Sequence, residues 1–237
     1  MPVPGPWGAP DSMAVGKGVE MQVDLSVAQL LCSRLCHDLV GPIGAVNTGL
    51  ELLDEGLDAD GKALELIALS GSEGTRRLAF FRIAFGHGAG TGGTATLTEA
   101  RALAAGLLAK GKVALDWPEN TDAGPQGPVL PAVVKVVLNM VLIASESLPR
   151  GGMVGVRFAE LPEGLGVAVT AEGQGAKLRD DIGTAMADGA EAGELTARNV
   201  HGYFAQVLAR DLGALIESSA GQDGEIRLAV LFPSDAG

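Results

Sequence analysis

Cys36-His37-Asp38-Leu39-Val40-Gly41-Pro42 lies inside a run of helical periodicity and decides how the rest of the chain is read. From Asp24 to Glu55, apolar residues recur in alternating steps of three and four at Ala28, Cys32, Leu35, Leu39, Ile43, Val46, Leu50 and Leu53. That spacing predicts one long helix with a bundle-type seam. His37 is two residues from both Leu35 and Leu39, about 200° around the axis from each, so it points away from the seam. On that outer face its neighbours are Arg34, one turn before, and Gly41, one turn after: a cation on one side and no side chain on the other. Pro42 has no N–H for the Asp38 carbonyl and crowds it, so a kink or break is expected one turn past His37. Gly41 weakens the helix by a further ~0.5–1 kcal/mol relative to alanine. Two poor helix formers beside an exposed histidine point to function outweighing local stability. An imidazole is nucleophilic near neutral pH, and an adjacent carboxylate fixes its tautomer by accepting from one ring nitrogen. His37 is therefore the candidate phospho-acceptor and Asp38 the residue that orients and activates it.

Outward from this helix, a turn around residues 56–60 precedes a second helical run with Ala63, Ile67, Ser70, Gly74, Leu78, Phe81 and Phe85 in the same alternation. Two long helices with a short connection form an antiparallel hairpin. Such a hairpin leaves much apolar surface uncovered, and Leu30, Leu31, Val40 and Leu52 widen the stripe, so a homodimer closing a four-helix bundle is expected. If the hairpin turns near residue 58, Arg76 or Arg77 stands level with His37 and could neutralise phosphoryl charge. Val40 is expected to receive a partner's docking helix.

The segments flanking the hairpin differ in composition. Residues 1–20 are Pro- and Gly-rich and read as a disordered tail; the hairpin domain spans 21–88; residues 89–97 form a Gly-rich linker; and 98–237 form a second domain. Thr96-Leu97-Thr98-Glu99 fits a capping box opening a helix. After it, strand and helix patterns alternate: strand 113–117, helix 130–148, strands 153–159 and 165–171, helices 178–187 and 196–212, strands 214–218 and 225–232. That order predicts a mixed sheet covered by helices, and an α+β chain as a whole.

The composition sets limits. A net charge of −12 argues against nucleic acid, which requires clustered Lys and Arg. No apolar run is long enough to span a bilayer, no secretory leader is evident, and two cysteines are too few for a disulfide framework, so a cytoplasmic location is expected. Cys32 and Cys36 have no further Cys or close His to complete a metal site and are read as core sulfurs. His87 is assigned to the linker and His201 to helix packing.

Arg34-Leu35-Cys36-His37-Asp38 with Pro42 resembles the dimerisation and histidine phosphotransfer domain of sensor histidine kinases, whose acceptor histidine is followed by Glu or Asp and, five residues on, by Pro. The second half resembles their ATP-binding α/β sandwich in outline. Leu138-Asn139 through Pro149-Arg150-Gly151-Gly152 is similar to the kinase helix bearing nucleotide-binding asparagines. Asn139 takes the first position, but Ile143 stands where the Mg²⁺-holding Asn belongs and Glu146 where a basic residue is usual. Val169 to Gly175 resembles the Asp-x-Gly-x-Gly motif, with Ala171 in place of the adenine-reading Asp. Gly193 to Arg198 replaces the Gly-rich lid. An intact histidine motif with a degraded nucleotide site resembles the ChpT-type histidine phosphotransferases of alphaproteobacteria. That resemblance runs from about Leu30 to Phe232 and includes Arg82-Ile83-Ala84-Phe85-Gly86 and Leu115-Asp116-Trp117. It implies phosphoryl transfer from the receiver domain of a hybrid kinase (CckA-like) to response regulators (CtrA-like and CpdR-like). It also implies no autokinase activity, no cofactor held by this chain, and Mg²⁺ supplied by the receiver. A sensor kinase with a divergent but active ATP site, and a non-catalytic dimeric adaptor, are the alternatives.

Overall fold

The computed structural model describes residues 24–58, 60–86, 96–119, 125, 129–221 and 224–234. The expected tail, most of the expected linker, and His87 lie outside the described residues. Helix α1 (Leu25–Asp54) opens where Asp24 caps it, accepting from the Ser26 N–H at 2.8 Å. It does not stop at Gly41-Pro42 but runs on to Asp54. The expected break is thus reduced to one missing backbone bond in a helix that continues, because Pro42 is packed across the helix pair. A Cβ built on Gly74 would lie 3.5 Å from the Pro42 Cβ.

Helix α2 (Lys62–Ala84) follows after a short turn in which the Asp58 carboxylate accepts from the Ala63 N–H. The two helices touch at levels that step in opposite chain directions: Pro42 at Gly74, Val46 at Gly71, and Gly49 at Ala63 and Ile67. A Cβ at Gly49 would sit 2.6 Å from Ile67 Cγ1 and 3.1 Å from the Ala63 carbonyl, so glycine there sets how closely the helices approach. The seam expected from periodicity holds only in part. Leu35, Leu39, Val46 and Leu53 are half-buried, but Ala28, Cys32, Ile43 and Leu50 face outward. A single stripe of alternating threes and fours does not distinguish the residues facing α2 from those facing away.

The remainder is a mixed α/β unit. Helix α3 (Leu97–Leu108) begins with the expected capping box between Thr96 and Glu99. The strands β1 (Val113–Asp116), β2 (Gly152–Leu161), β3 (Gly164–Glu172), β4 (Glu217–Ala220) and β5 (Glu225–Pro233) form one sheet in the order β1-β2-β3-β5-β4. β1 pairs parallel with β2, and the other pairs are antiparallel. Helix α4 (Pro131–Glu146) is apolar on almost every face, and Val133 through Ala144 is buried except at Lys135. A helix apolar all round belongs at the centre of a fold, and α4 lies between the sheet and helices α2, α3 and α6 (Val200–Asp211). It hands the chain to β2 through Pro149-Arg150-Gly151-Gly152, where φ is +87° at Gly151 and +148° at Gly152, values that L side chains avoid. Helix α5 (Asp180–Met186) completes the unit. β4 begins three residues later than its sequence pattern suggests. The Gln206 side chain occupies the Ile216 backbone on both sides, accepting from its N–H at 2.9 Å and donating to its carbonyl at 3.4 Å, so residue 216 is tied to α6 and does not join the sheet.

Two glycines of α1 should respond in opposite ways. Gly49→Val should lower the unfolding free energy by about 1–3 kcal/mol through overpacking. Gly41→Ala, with nothing within 4 Å of the added carbon, should raise it by about 0.5–1 kcal/mol. Urea denaturation of the two variants measures both.

Candidate functional site

The His37 side chain is 81% exposed, and its Nδ1 lies 3.1 Å from Asp38 Oδ1. An ionised carboxylate only accepts hydrogen bonds, so this contact assigns the ring proton to Nδ1 and leaves the Nε2 lone pair free. Around it, Val40 is 70% exposed and Gly41 has open space on its side-chain face. The imidazole therefore stands clear on the helix with its nucleophilic nitrogen uncommitted.

Arg34 departs from expectation. It does not flank the imidazole in the open; it is only 8% exposed and is turned inward. Its Nε donates to Asp38 Oδ2 at 2.8 Å, and its Nη2 pairs with Glu146 Oε1 at the C-terminal end of α4. Its Nη1 reaches the Arg198 carbonyl at 3.4 Å and His201 Nδ1, on α6, at 3.2 Å. Because a guanidinium can only donate, His201 Nδ1 must accept, which places that ring's proton on Nε2. Nε2 lies 3.2 Å from Glu146 Oε2, close enough for attraction but not aligned as a hydrogen bond, and Arg179 Nη1 is 3.8 Å from the same oxygen. One guanidinium thus ties α1, α4 and α6 together. Burial works against the Arg34 charge, but the Glu146 and Asp38 carboxylates more than offset it and hold the group protonated. Burial would likewise push the Glu146 carboxyl up, yet the neighbouring His201 and Arg34 outweigh it and lower it from 4.5 to about 2.

Arg76 and Arg77 are directed elsewhere. Arg77 pairs with Glu73 one turn back, and the Arg76 stem lies 3.4 Å from where a Cβ on Gly106 of α3 would be. With Pro42 opposite Gly74, the level of His37 on α2 is near residue 79, two to three residues past the arginines, and what separates them from His37 is that their side chains are engaged with Ser72, Glu73 and α3. Cys32 and Cys36 are exposed, not core sulfurs, because no described element packs against the face of α1 they occupy.

The positions that resemble a nucleotide site are built into the packing. Asn139 donates to the Ala84 carbonyl at 3.0 Å and the Lys135 carbonyl at 2.9 Å, tying the end of α2 to α4. Ile143 and Ala171 are buried in the core. Where a kinase would carry its lid, Leu195 and Val200 join Val27 of α1 and Ala185 in a second small apolar cluster.

A family model for the histidine phosphotransferase C-terminal domain matches residues 97–224. The chain is also 34% identical over 196 residues to the protein phosphotransferase ChpT of Brucella abortus (strain 2308), an alignment spanning 83% of this chain and 91% of that protein. It belongs to the ChpT phosphotransferase family. A 1.7 Å structure of a bacterial phosphotransferase superposes with a TM-score of 0.75 at 32% identity, covering 88% of this chain and 97% of the other. A phosphotransferase role follows from membership of the family. Among the described residues no helix is long and apolar enough to cross a membrane.

Glu146, noted only as standing where a basic residue is usual, and His201, assigned to helix packing, are the members of this cluster that sequence reasoning did not connect to Arg34. The signal was present: a single charge ending a helix that is otherwise buried all round requires a partner, and a histidine in an apolar helix invites the same question. With the Glu146 carboxyl depressed in the folded state, its contribution to stability is complete above pH 4.5 and is lost as pH falls towards about 2. Urea midpoints measured across that range should fall for the wild type and fall less steeply for Glu146→Gln.

Proposed function

We propose that this chain is a histidine phosphotransferase in a two-component phosphorelay, with His37 as the phosphoryl carrier. The observation that carries the reading is the exposed His37 imidazole with Nδ1 committed to Asp38 and Nε2 free. Nε2 attacks the phosphorus of an aspartyl phosphate on the receiver domain of a hybrid kinase. The N–P bond forms as the bond from phosphorus to the receiver carboxylate breaks, and the Asp38 carboxylate stabilises the positive charge developing on the ring. Attack by the aspartate of a response regulator on the resulting phosphoramidate completes the relay. Mg²⁺ enters with the receiver, whose own acidic residues hold it. Val40, Gly41 and the exposed face of α1 around His37 form the receiver's landing surface. The burial of Ile143 and Ala171 and the use of Asn139 as a helix tie support the absence of autokinase activity. The whole relay is assigned to the cytoplasm.

The partner of the hairpin's other face is a second copy of the chain. Ile43 and Leu50 stand seven apart on α1 and Leu64 and Leu78 fourteen apart on α2, all exposed on the outside of the hairpin, and Leu57 in the turn between the helices is exposed as well. Apolar stripes of heptad spacing seek equivalent stripes, and two hairpins joined through them make a four-helix bundle.

In transfer assays from a phosphorylated receiver, His37→Gln should abolish labelling of the protein. Asp38→Ala should slow transfer by about 10²-fold. Incubation with labelled ATP alone should give no phosphoprotein, and ATP-dependent labelling of His37 would instead favour a kinase. Leu50→Glu should convert the dimer to a monomer in sedimentation equilibrium; an unchanged mass overturns the bundle.

A further inference from the structure

The geometry points to Glu146 of the α/β unit, with His201 behind it, as a positioning residue for His37 acting through Arg34 and Asp38. This inference rests on His37 being the phosphoryl carrier. Arg34 meets Asp38 through a single nitrogen, Nε on Oδ2. Its Nη2, which lies on the same edge of the guanidinium and would complete a two-pronged grip on the carboxylate, is instead drawn to Glu146 Oε1 and makes no bond to Asp38. Nη1 is occupied by the Arg198 carbonyl and His201 Nδ1. A guanidinium and a carboxylate left to themselves prefer the fork in which two parallel N–H groups cover both oxygens. With Nη2 drawn to Glu146 the fork is not formed, and Asp38 Oδ1 faces His37 Nδ1 with no guanidinium bond competing for it. Without Glu146, Nη2 is free to swing onto Oδ1; the carboxylate turns into the fork, Oδ1 is shared between two donors, and its hold on the His37 Nδ1 proton weakens. The lone pair on Nε2 is then no longer guaranteed. A residue 109 positions from the acceptor, on a different element, thereby sets which nitrogen of His37 can attack.

Burial reinforces the constraint. The Arg34 and Asp38 side chains are only 10% and 13% exposed, so water is a poor substitute for any bond that is lost. His201 is fully buried and confines Arg34 from the opposite side, while Arg179 balances the remaining Glu146 oxygen.

The test uses the full-length chain and two readouts. The first is the ring ¹⁵N shifts of His37, which report its tautomer and require no partner. The wild type should hold the proton on Nδ1, and Glu146→Ala should shift the population towards Nε2–H. The second is phosphotransfer from a receiver domain charged with a small acyl phosphate. Glu146→Ala should slow it at least tenfold alone but less than twofold in an Asp38→Ala background, since a residue acting through Asp38 has nothing to act on once Asp38 is gone. Should Glu146→Ala fail to fold, Glu146→Gln, which keeps one acceptor for Nη2, carries the same test with an expected slowing of at least threefold. A folded Glu146 variant with the wild-type tautomer and rate overturns the inference, as does an additive loss in the Asp38→Ala background. Failure of the wild type to accept a phosphoryl group, or transfer by His37→Gln, overturns the carrier reading instead and leaves the tautomer measurement to decide the positioning role by itself.

Discussion

The guanidinium of Arg34 is the contact on which the arrangement of this molecule depends. It is mostly withdrawn from water and meets a carboxylate on its own helix, a carboxylate on α4, and a carbonyl and an imidazole belonging to α6 and the residues before it. A lysine has three donors at one point and could not serve three elements in different directions; the planar fork of arginine can. Buried ion pairs gain little net stability, because desolvation cancels most of the attraction, but leaving one partner alone costs several kcal/mol. Such a cluster therefore tolerates only one arrangement of the α/β unit against α1. That arrangement sets a height: Val27, seven residues below Arg34, is sealed in an apolar cluster, whereas Gly41, seven residues above, faces open space. The edge of the α/β unit falls between them, and His37 stands at that edge.

This placement gives the α/β unit a purpose that needs no nucleotide. Asn139 secures the last turn of α2, Leu195 and Val200 grip the first turns of α1, and Glu146 holds Arg34. All three sit at or near positions that resemble the ligand-bearing parts of a kinase ATP site. The positions in between, Ile143 and Ala171, have become core. Aromatic contacts extend the grip, with Phe85 after α2 stacked on Phe81 and edge-on to Phe204 of α6. The unit works as a clamp on the histidine-bearing end of the helix pair and leaves the other end, with its leucine stripe, uncovered.

Much of this was legible in the sequence wherever the determinants are local. Helical periodicity located α1 and α2, the Thr96–Glu99 capping box fixed the start of α3, and the Gly151-Gly152 turn separated α4 from β2. The exposure of His37 followed from its angle to the seam. The residues that were misread depend on contacts between distant parts of the chain. Arg34 could be placed on the His37 face by spacing, but whether it stays in solvent or turns under the helix depends on Glu146, more than a hundred residues away. Cys32 and Cys36 fit an apolar period that no described residue covers, and Arg76 and Arg77 stand within a turn of the His37 level, but their side chains are engaged by Ser72, Glu73 and α3, which spacing along α2 does not reveal. β4 lost its first residues to Gln206, whose side chain competes for backbone groups in a way no strand propensity records.

The weak point of α1 and the clamp explain each other. Pro42 removes the N–H that would have bonded the Asp38 carbonyl, and Gly41 removes the side chain that would have stiffened the same turn. The backbone at Asp38 is thus the least constrained in the middle of the helix, although Asp38 must hold its carboxylate still enough to fix a tautomer on the next ring. Packing of Pro42 near Gly74 restores the path of the helix but does nothing for the orientation of a side chain one turn earlier. That orientation comes through Arg34, one turn earlier on the same helix, which Glu146 and His201 of the α/β unit hold in place. A helix weakened at Gly41 and Pro42 leaves its His–Asp pair to be braced from the opposite side, and the α/β unit is the only part of the described structure positioned to brace it.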